Sequence, residues 1–497
     1  MINSIYLTFS DGAKFSLIAR NLVDTGVYAT DFSFWGSGFF STSGISILVP
    51  HLMSLFMKLF GVNDFAVISF SFFFFIFLII FVFLLASRLF DKTTGMLASL
   101  SIASNYNFID YATSGASETL FAFEIVLGLY LVSFKSKFTD LLAIVTLILM
   151  YFSRPQAIIS MAGIVLYWLI VRFGVKKALI SFFGLGILGY LVDKFVIYPL
   201  SFKYPVTPIL MRGLQSILTY SPNMAVSDGL RGVVGSSLSS LDVVKKVFYN
   251  LYNFYKALPE IASPYMWGLF VIGMFSWGKV KLQNSFKISV LFVALLTFLV
   301  TALTIPFYRY IHPVVPLVYI VAVATLVEII KRSPITKQKF VVVISIFLIL
   351  FFSVGQTLGI IFLDSRFKNK MVNTDKAPIY VEMSYKLKEV TTDDMVIVTN
   401  LDTWGSWYGE RKTIWFPLEP DMILPVSENI DAIYLTSYKM DDENYYMGEN
   451  WREIFENPES QTILTDYEFV GEYEFSANDN YERESGRAIL LVKKLTK

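Results

Sequence analysis

The chain has 497 residues, 55% of them hydrophobic and only 16% charged, where a soluble domain carries roughly 25% charged residues; it reads as an integral membrane protein. A formal net charge of +1 leaves no electrostatic footprint for nucleic acid, and no such partner is expected. Cysteine is absent and histidine occurs only as His51 and His312, which excludes disulfides and thiolate metal sites and argues against a histidine-built zinc centre.

Residues 1–64 read as an external loop with amphipathic helices. Phe15, Leu17, Ile18, Leu22 and Val23 recur at helical spacing among Lys14, Arg20 and Asn21, the pattern of a helix that lies along a membrane surface. Asp11 stands at its head. A carboxylate there can take the proton of an attacking hydroxyl or amine, or it can simply cap the helix.

Apolar runs follow at 65–87, 94–110, 117–134, 139–153, 156–172, 178–199, 261–278, 286–305, 311–330 and 339–362. They predict a transmembrane bundle of about ten helices over residues 65–363. Alternate connections are short and basic, with Arg88 and Lys92, Lys135 and Lys137, Arg172 to Lys177, Lys279 to Lys287 and Lys331 to Lys339; these face the cytoplasm. The N-terminal loop, residues 200–260 and everything after 364 then face outward. Ten spans leave both termini outside, yet residues 1–10 read as neither signal peptide nor span, so a further helix upstream of Met1 is expected, the alternative being a short N-terminus translocated unaided.

Residues 200–260 mix Pro, Gly, Ser and Tyr with short amphipathic pieces and read as an external lid. From 364 to 497 the long apolar runs stop. A helix at about 378–390 precedes strand-like runs at 395–399, 412–416, 432–436, 469–475 and 488–492, which predict a small extracytoplasmic α/β domain.

Glu118 opens an almost wholly apolar run, where an acid is costly and usually binds a substrate or a metal; a charge placed to suit the helix dipole is the alternative. Asp110 competes for the same role, and Glu124 lies deeper in the run. Arg154 and Arg309 stand at outward helix ends, where basic residues are less expected. Either suits a phosphate, which arginine holds bidentately, or an interfacial anchor among tyrosines. His312, close to Arg309, reads as a hydrogen-bonded interface residue rather than a ligand. Trp404, Trp407 and Tyr408 are able to stack on a sugar, although core packing is the plainer use. The sequence shows no P-loop, dinucleotide fingerprint or nucleophile elbow, so a soluble nucleotide donor is not expected.

In order, these pieces resemble the membrane-embedded C-type (GT-C) glycosyltransferases that use polyprenyl-phosphate sugars, among them the protein O-mannosyltransferases and the aminoarabinose lipid A transferases. The resemblance rests on Asp11 followed by Ala19-Arg20-Asn21-Leu22, Gly26 and Tyr28, and on residues 44–61 ending in Lys58-Leu59-Phe60-Gly61. It continues with Glu118 after Ser114-Gly115-Ala116-Ser117, Ser153-Arg154-Pro155, Tyr308-Arg309-Tyr310 with Pro313 and Pro316, and Tyr408-Gly409-Glu410-Arg411 with Pro417. It implies an α-helical polytopic membrane protein that moves a sugar, with inversion, from a lipid-phosphate donor to a lipid, glycan or protein acceptor on the outer face of the cell membrane. Asp11 would be the catalytic base. Glu118, with Asp110, would contact the acceptor or hold a divalent cation (Mg or Mn), and Arg309 and Arg154 would bind the donor phosphate. The chain departs from the family where Gly12 replaces the second acid of an Asp-Glu pair. A lipid-linked sugar flippase and a polysaccharide polymerase are the rival readings.

Overall fold

Helices account for most of the chain in a computed structural model, which describes residues 6–7, 10–36, 38–42, 46–154, 156–201, 217–218, 231, 238–276, 280–332, 338–349, 377–442, 446–476 and 485–494. In chain order they are α1 (Ser10–Asp24), α2 (Leu48–Phe60), α3 (Asp64–Leu89), α4 (Lys92–Ala103), α5 (Tyr106–Ala112), α6 (Glu118–Val132) and α7 (Lys137–Ser153). There follow α8 (Ala157–Phe173), α9 (Val175–Val192), α10 (Ser240–Lys256), α11 (Pro264–Phe275), α12 (Lys281–Leu303), α13 (Val315–Arg332) and α14 (Gln338–Ile349).

Their ends follow local chemistry. The Asn63 side chain accepts from the Ala66 N–H at 2.9 Å to start α3, and Asp91 accepts from Thr94 at 2.8 Å to start α4, each satisfying a donor that the first turn leaves over. The apolar run at 94–110 is two helices rather than one. Its break falls at Asn105, which caps α5 through the Phe108 N–H, because a short polar side chain competes with the helix for backbone groups.

Among the described residues, four helical stretches are long and apolar enough to cross a membrane: Asp64–Leu89, Val175–Leu200, Lys281–Leu303 and Tyr308–Arg332. The second continues α9 through a π turn at Asp193–Ile197 and carries Ile180 and Phe183 at 77% and 70% exposure. A helix with that much apolar surface outward is stable only in an apolar surrounding. The chain is a membrane protein.

The C-terminal region adds α15 (Ile379–Val390), α16 (Trp404–Trp407) and α17 (Glu449–Glu456), with strands β2 (Val396–Thr399), β3 (Lys412–Trp415), β4 (Ala432–Thr436), β5 (Tyr467–Phe475) and β6 (Gly486–Lys493). One strand more belongs to the sheet than the sequence pattern marks, β1 (Phe32–Ser33). The order is β1-β3-β2-β4-β6-β5, parallel through β4 and antiparallel beyond. Phe32 lies opposite Thr413, and the Thr413 N–H donates to the Asp31 carbonyl at 2.9 Å. Two residues carry no periodicity, so only tertiary pairing reveals that strand.

β1 brings α1 with it. Leu17, Ile18 and Ala19 are fully buried, and Leu17 shares one apolar core with Met53, Trp404 and Ile414. The apolar face of α1 therefore covers protein, α2 and the C-terminal sheet domain, and does not lie on lipid as its spacing suggests. An amphipathic stripe has the same period whichever apolar surface it covers.

Arg411 braces the C-terminal domain. It is 5% exposed and donates to the carbonyls of Lys388 at 2.6 Å and Thr391 at 2.7 Å, to Thr391 Oγ1 at 3.0 Å and to Asp393 at 2.6 Å. Arg411→Met is expected to cost about 2–4 kcal/mol, since it strands buried carbonyls. A thermal midpoint in detergent equal to that of the parent would contradict this.

Most of the expected lid at 200–260 lies outside the described residues. Within it, α10 packs on α12, and Arg231 donates to the carbonyls of Phe416, Pro417 and Tyr446 at 3.2, 3.2 and 2.7 Å while stacking on the Phe416 ring at 3.8 Å. This stretch is pinned to the C-terminal domain at that point.

Candidate active site

The start of α1 meets the loop before α6 at unusually close range. A Cβ on Gly12 would sit 2.6 Å from the Ser114 carbonyl oxygen. Gly115, at φ +77°, lets that loop turn, and a Cβ on it would lie 2.5 Å from Val67 Cγ1. Position 12 thus has no room for any side chain. This contact sets Asp11 beside Glu118. Gly12→Ala is accordingly expected to push α1 away and to lower any activity that depends on Asp11 by roughly 10²-fold, the scale on which misplacing a reacting group costs. Activity kept within a factor of two would show that Asp11 need not be held so closely.

Glu118 is fully buried at the first position of α6. Its Oε1 receives Arg154 Nη1 at 2.6 Å from the α7–α8 turn and Arg309 Nε from the turn before α13. Arg309 Nη1 reaches on to Asp11 Oδ2 at 2.9 Å. Arg154 also donates to Ser117 Oγ and Gln156 Oε1, both at 3.2 Å. The result is a continuous chain, Arg154–Glu118–Arg309–Asp11, assembled from four separate segments. Glu118 and Arg154 are its buried end, at 0% and 8% exposure, whereas the Asp11 carboxylate is 44% exposed. A substrate can reach Asp11.

Four of the five residues to which the resemblance assigns roles therefore converge. The fifth, Asp110, is half-buried on α5 and within electrostatic reach of Tyr111. Sequence reasoning missed Tyr111 itself, whose hydroxyl is hydrogen bonded to His312 Nδ1 and whose ring lies 5.9 Å from the Arg309 guanidinium. Its one signal was its place beside Asp110. Glu124 lies deeper, accepting from Ser153 Oγ at 2.7 Å, and stands apart from the chain of ion pairs.

Among the described residues no group of three or more His, Cys, Asp and Glu side chains is placed to hold a metal ion. A divalent cation at Glu118 would also face two guanidinium charges. These residues do not fit one.

Trp404, Trp407 and Tyr408 are 2%, 7% and 7% exposed and pack the core. Trp407 Nε1 and the Tyr408 hydroxyl donate to the Asp64 carboxylate at 2.7 and 2.9 Å. Burial, with the Asp64 charge beside it, pushes the Tyr408 phenol well above its ordinary pKa, which keeps it a donor.

A polytopic helical bundle with a C-terminal sheet domain is the architecture of the C-type membrane glycosyltransferase fold. The structure of ArnT from Cupriavidus metallidurans in the apo state shares it with a TM-score of 0.50 at 12% identity, over 88% of this chain and 89% of that one. The same protein bound to undecaprenyl phosphate gives 0.50 at 10%, over 99% and 94%. The oligosaccharyltransferase of Archaeoglobus fulgidus gives 0.52 at 12%, over 89% and 67%. Residues 45–196 match the family described as dolichyl-phosphate-mannose-protein mannosyltransferase. Comparison with curated proteins finds no match. The resemblance to the GT-C glycosyltransferases holds in the fold and, over residues 45–196, in the sequence.

Proposed function

We propose that this chain is a membrane glycosyltransferase that moves a sugar from a polyprenyl-phosphate donor to a lipid, glycan or protein acceptor on the outer face of the membrane. The observation that carries this reading is the Arg154–Glu118–Arg309–Asp11 chain, in which an accessible carboxylate is held by a guanidinium beside a helical bundle. Asp11 takes the proton of the acceptor hydroxyl or amine as that atom attacks the anomeric carbon. The bond from that carbon to the phosphate oxygen breaks, its electron pair passes to the phosphate, and the configuration inverts. Arg309 and Arg154 meet the charge that develops on the departing phosphate. Glu118 acts through them as a positioning residue, and Asp110 orients the acceptor. A lipid donor is supported by the ArnT structure with undecaprenyl phosphate, which shares this fold. The outward placement of the C-terminal domain rests on the alternation of basic loops.

The test is release of free polyprenyl phosphate when the purified full chain meets an extracted pool of lipid-linked sugars containing the native acceptor. Release is the expected result. Its absence, with acceptor shown to be present, would favour a flippase that moves the lipid-linked sugar without cleaving it.

A further inference from the structure

Between α1, the turn from α2 to α3 and the C-terminal domain lies a cleft of about 1050 Å³. It shares no lining residue with the Arg154–Glu118–Arg309–Asp11 chain. Arg20, in its wall, follows Asp11 by nine residues, so the two leave α1 on opposite sides and roughly 14 Å apart along its axis.

The lining carries four carboxylates, Asp24, Asp31, Asp64 and Glu410, against the single guanidinium of Arg20. Arg20 is paired with Asp31 at 3.0 Å and Lys388 with Glu410, which leaves Asp24 and Asp64 to set the sign of the cleft; Asp64 takes its hydrogen bonds from the uncharged Trp407 and Tyr408. The cleft therefore repels anions, and a lipid phosphate is not its occupant. Tyr385 is 49% exposed and offers an open ring on the same wall. Asn21 donates to the Ala29 carbonyl at 3.1 Å and to Asp31 at 3.2 Å, so the polar groups are held in place before any ligand arrives. Carboxylates and an amide in fixed positions suit the hydroxyls of a sugar, and an aromatic ring suits its C–H face; a few convergent polar groups beside apolar surface are the mark of a small-molecule site.

We propose that this cleft binds an uncharged or amine-bearing saccharide, as a second site separate from the Asp11 cluster. The proposal stands without the transferase reading, because binding is read with no turnover.

The experiment presents the purified full chain, in detergent, to an array of neutral, amino-bearing and uronic-acid glycans, with a lysine-rich peptide as control. The best glycan is then titrated by tryptophan fluorescence, for which Trp407 in the wall is a reporter. Neutral or amino glycans should be retained and uronic acids should not. Asp24→Asn and Tyr385→Ala alter exposed side chains, and each is expected to weaken binding by about tenfold with the thermal midpoint unchanged. Asp11→Asn should bind as the parent does. Retention of no glycan, preference for uronic acids, retention of the peptide in place of glycans, unchanged affinity in both cleft variants, or loss of binding in Asp11→Asn would each overturn it.

Discussion

Asp11→Asn is expected to lower polyprenyl-phosphate release by roughly 10²–10⁴-fold, the range for losing a positioned general base, while leaving the protein nearly as stable as its parent. The two halves of that expectation have separate causes. The asparagine cannot accept the acceptor's proton, yet it keeps the shape that Arg309 contacts. The ion pair it removes has a carboxylate 44% exposed, and pairs that open to water contribute only about 0–1 kcal/mol. Equal release by parent and variant would remove Asp11 from the mechanism and turn attention to Asp110.

Glu118→Gln is expected to behave in the opposite way, with stability as its main casualty. Its carboxylate is the shared counter-charge of Arg154 and Arg309 at a site with no exposure. Removing one partner of a buried pair costs about 3–5 kcal/mol, because the remaining charges are left uncompensated. A helix-start acid acting only on the macrodipole would cost about 0.3–1 kcal/mol. The measurement is the thermal midpoint of both variants in the same detergent. A fall for Glu118→Gln no larger than that for Asp11→Asn would mean that Glu118 is a helix-start charge and not the hub of the cluster. Transfer should also drop with Glu118→Gln, since Arg309 loses the contact that aims it at Asp11.

Several things about this protein follow from its sequence alone. Apolar run length and the low charge content mark a membrane bundle, since lipid demands long uncharged helices. Short strand-like runs locate five of the six strands, among them β4 at Ala432–Thr436 and β6 at Gly486–Lys493. The cost of placing an acid or an arginine at an apolar helix end draws attention to Glu118, Arg154 and Arg309 one by one. Each of these signals is local, arising within one helix or one strand.

What joins the pieces is not local. Arg154 and Arg309 are separated by 155 positions in the sequence, and nothing in either neighbourhood says that both will reach one oxygen of Glu118. The glycine at position 12 looks like a lost acid until the Ser114 carbonyl is found 2.6 Å from where its Cβ would be. The two-residue strand at Phe32–Ser33 is too short for any period, and it decides that α1 is buried against the C-terminal domain. Periodicity reports that a face is apolar; only the packed chain decides what covers it, because the hydrophobic effect has no direction of its own.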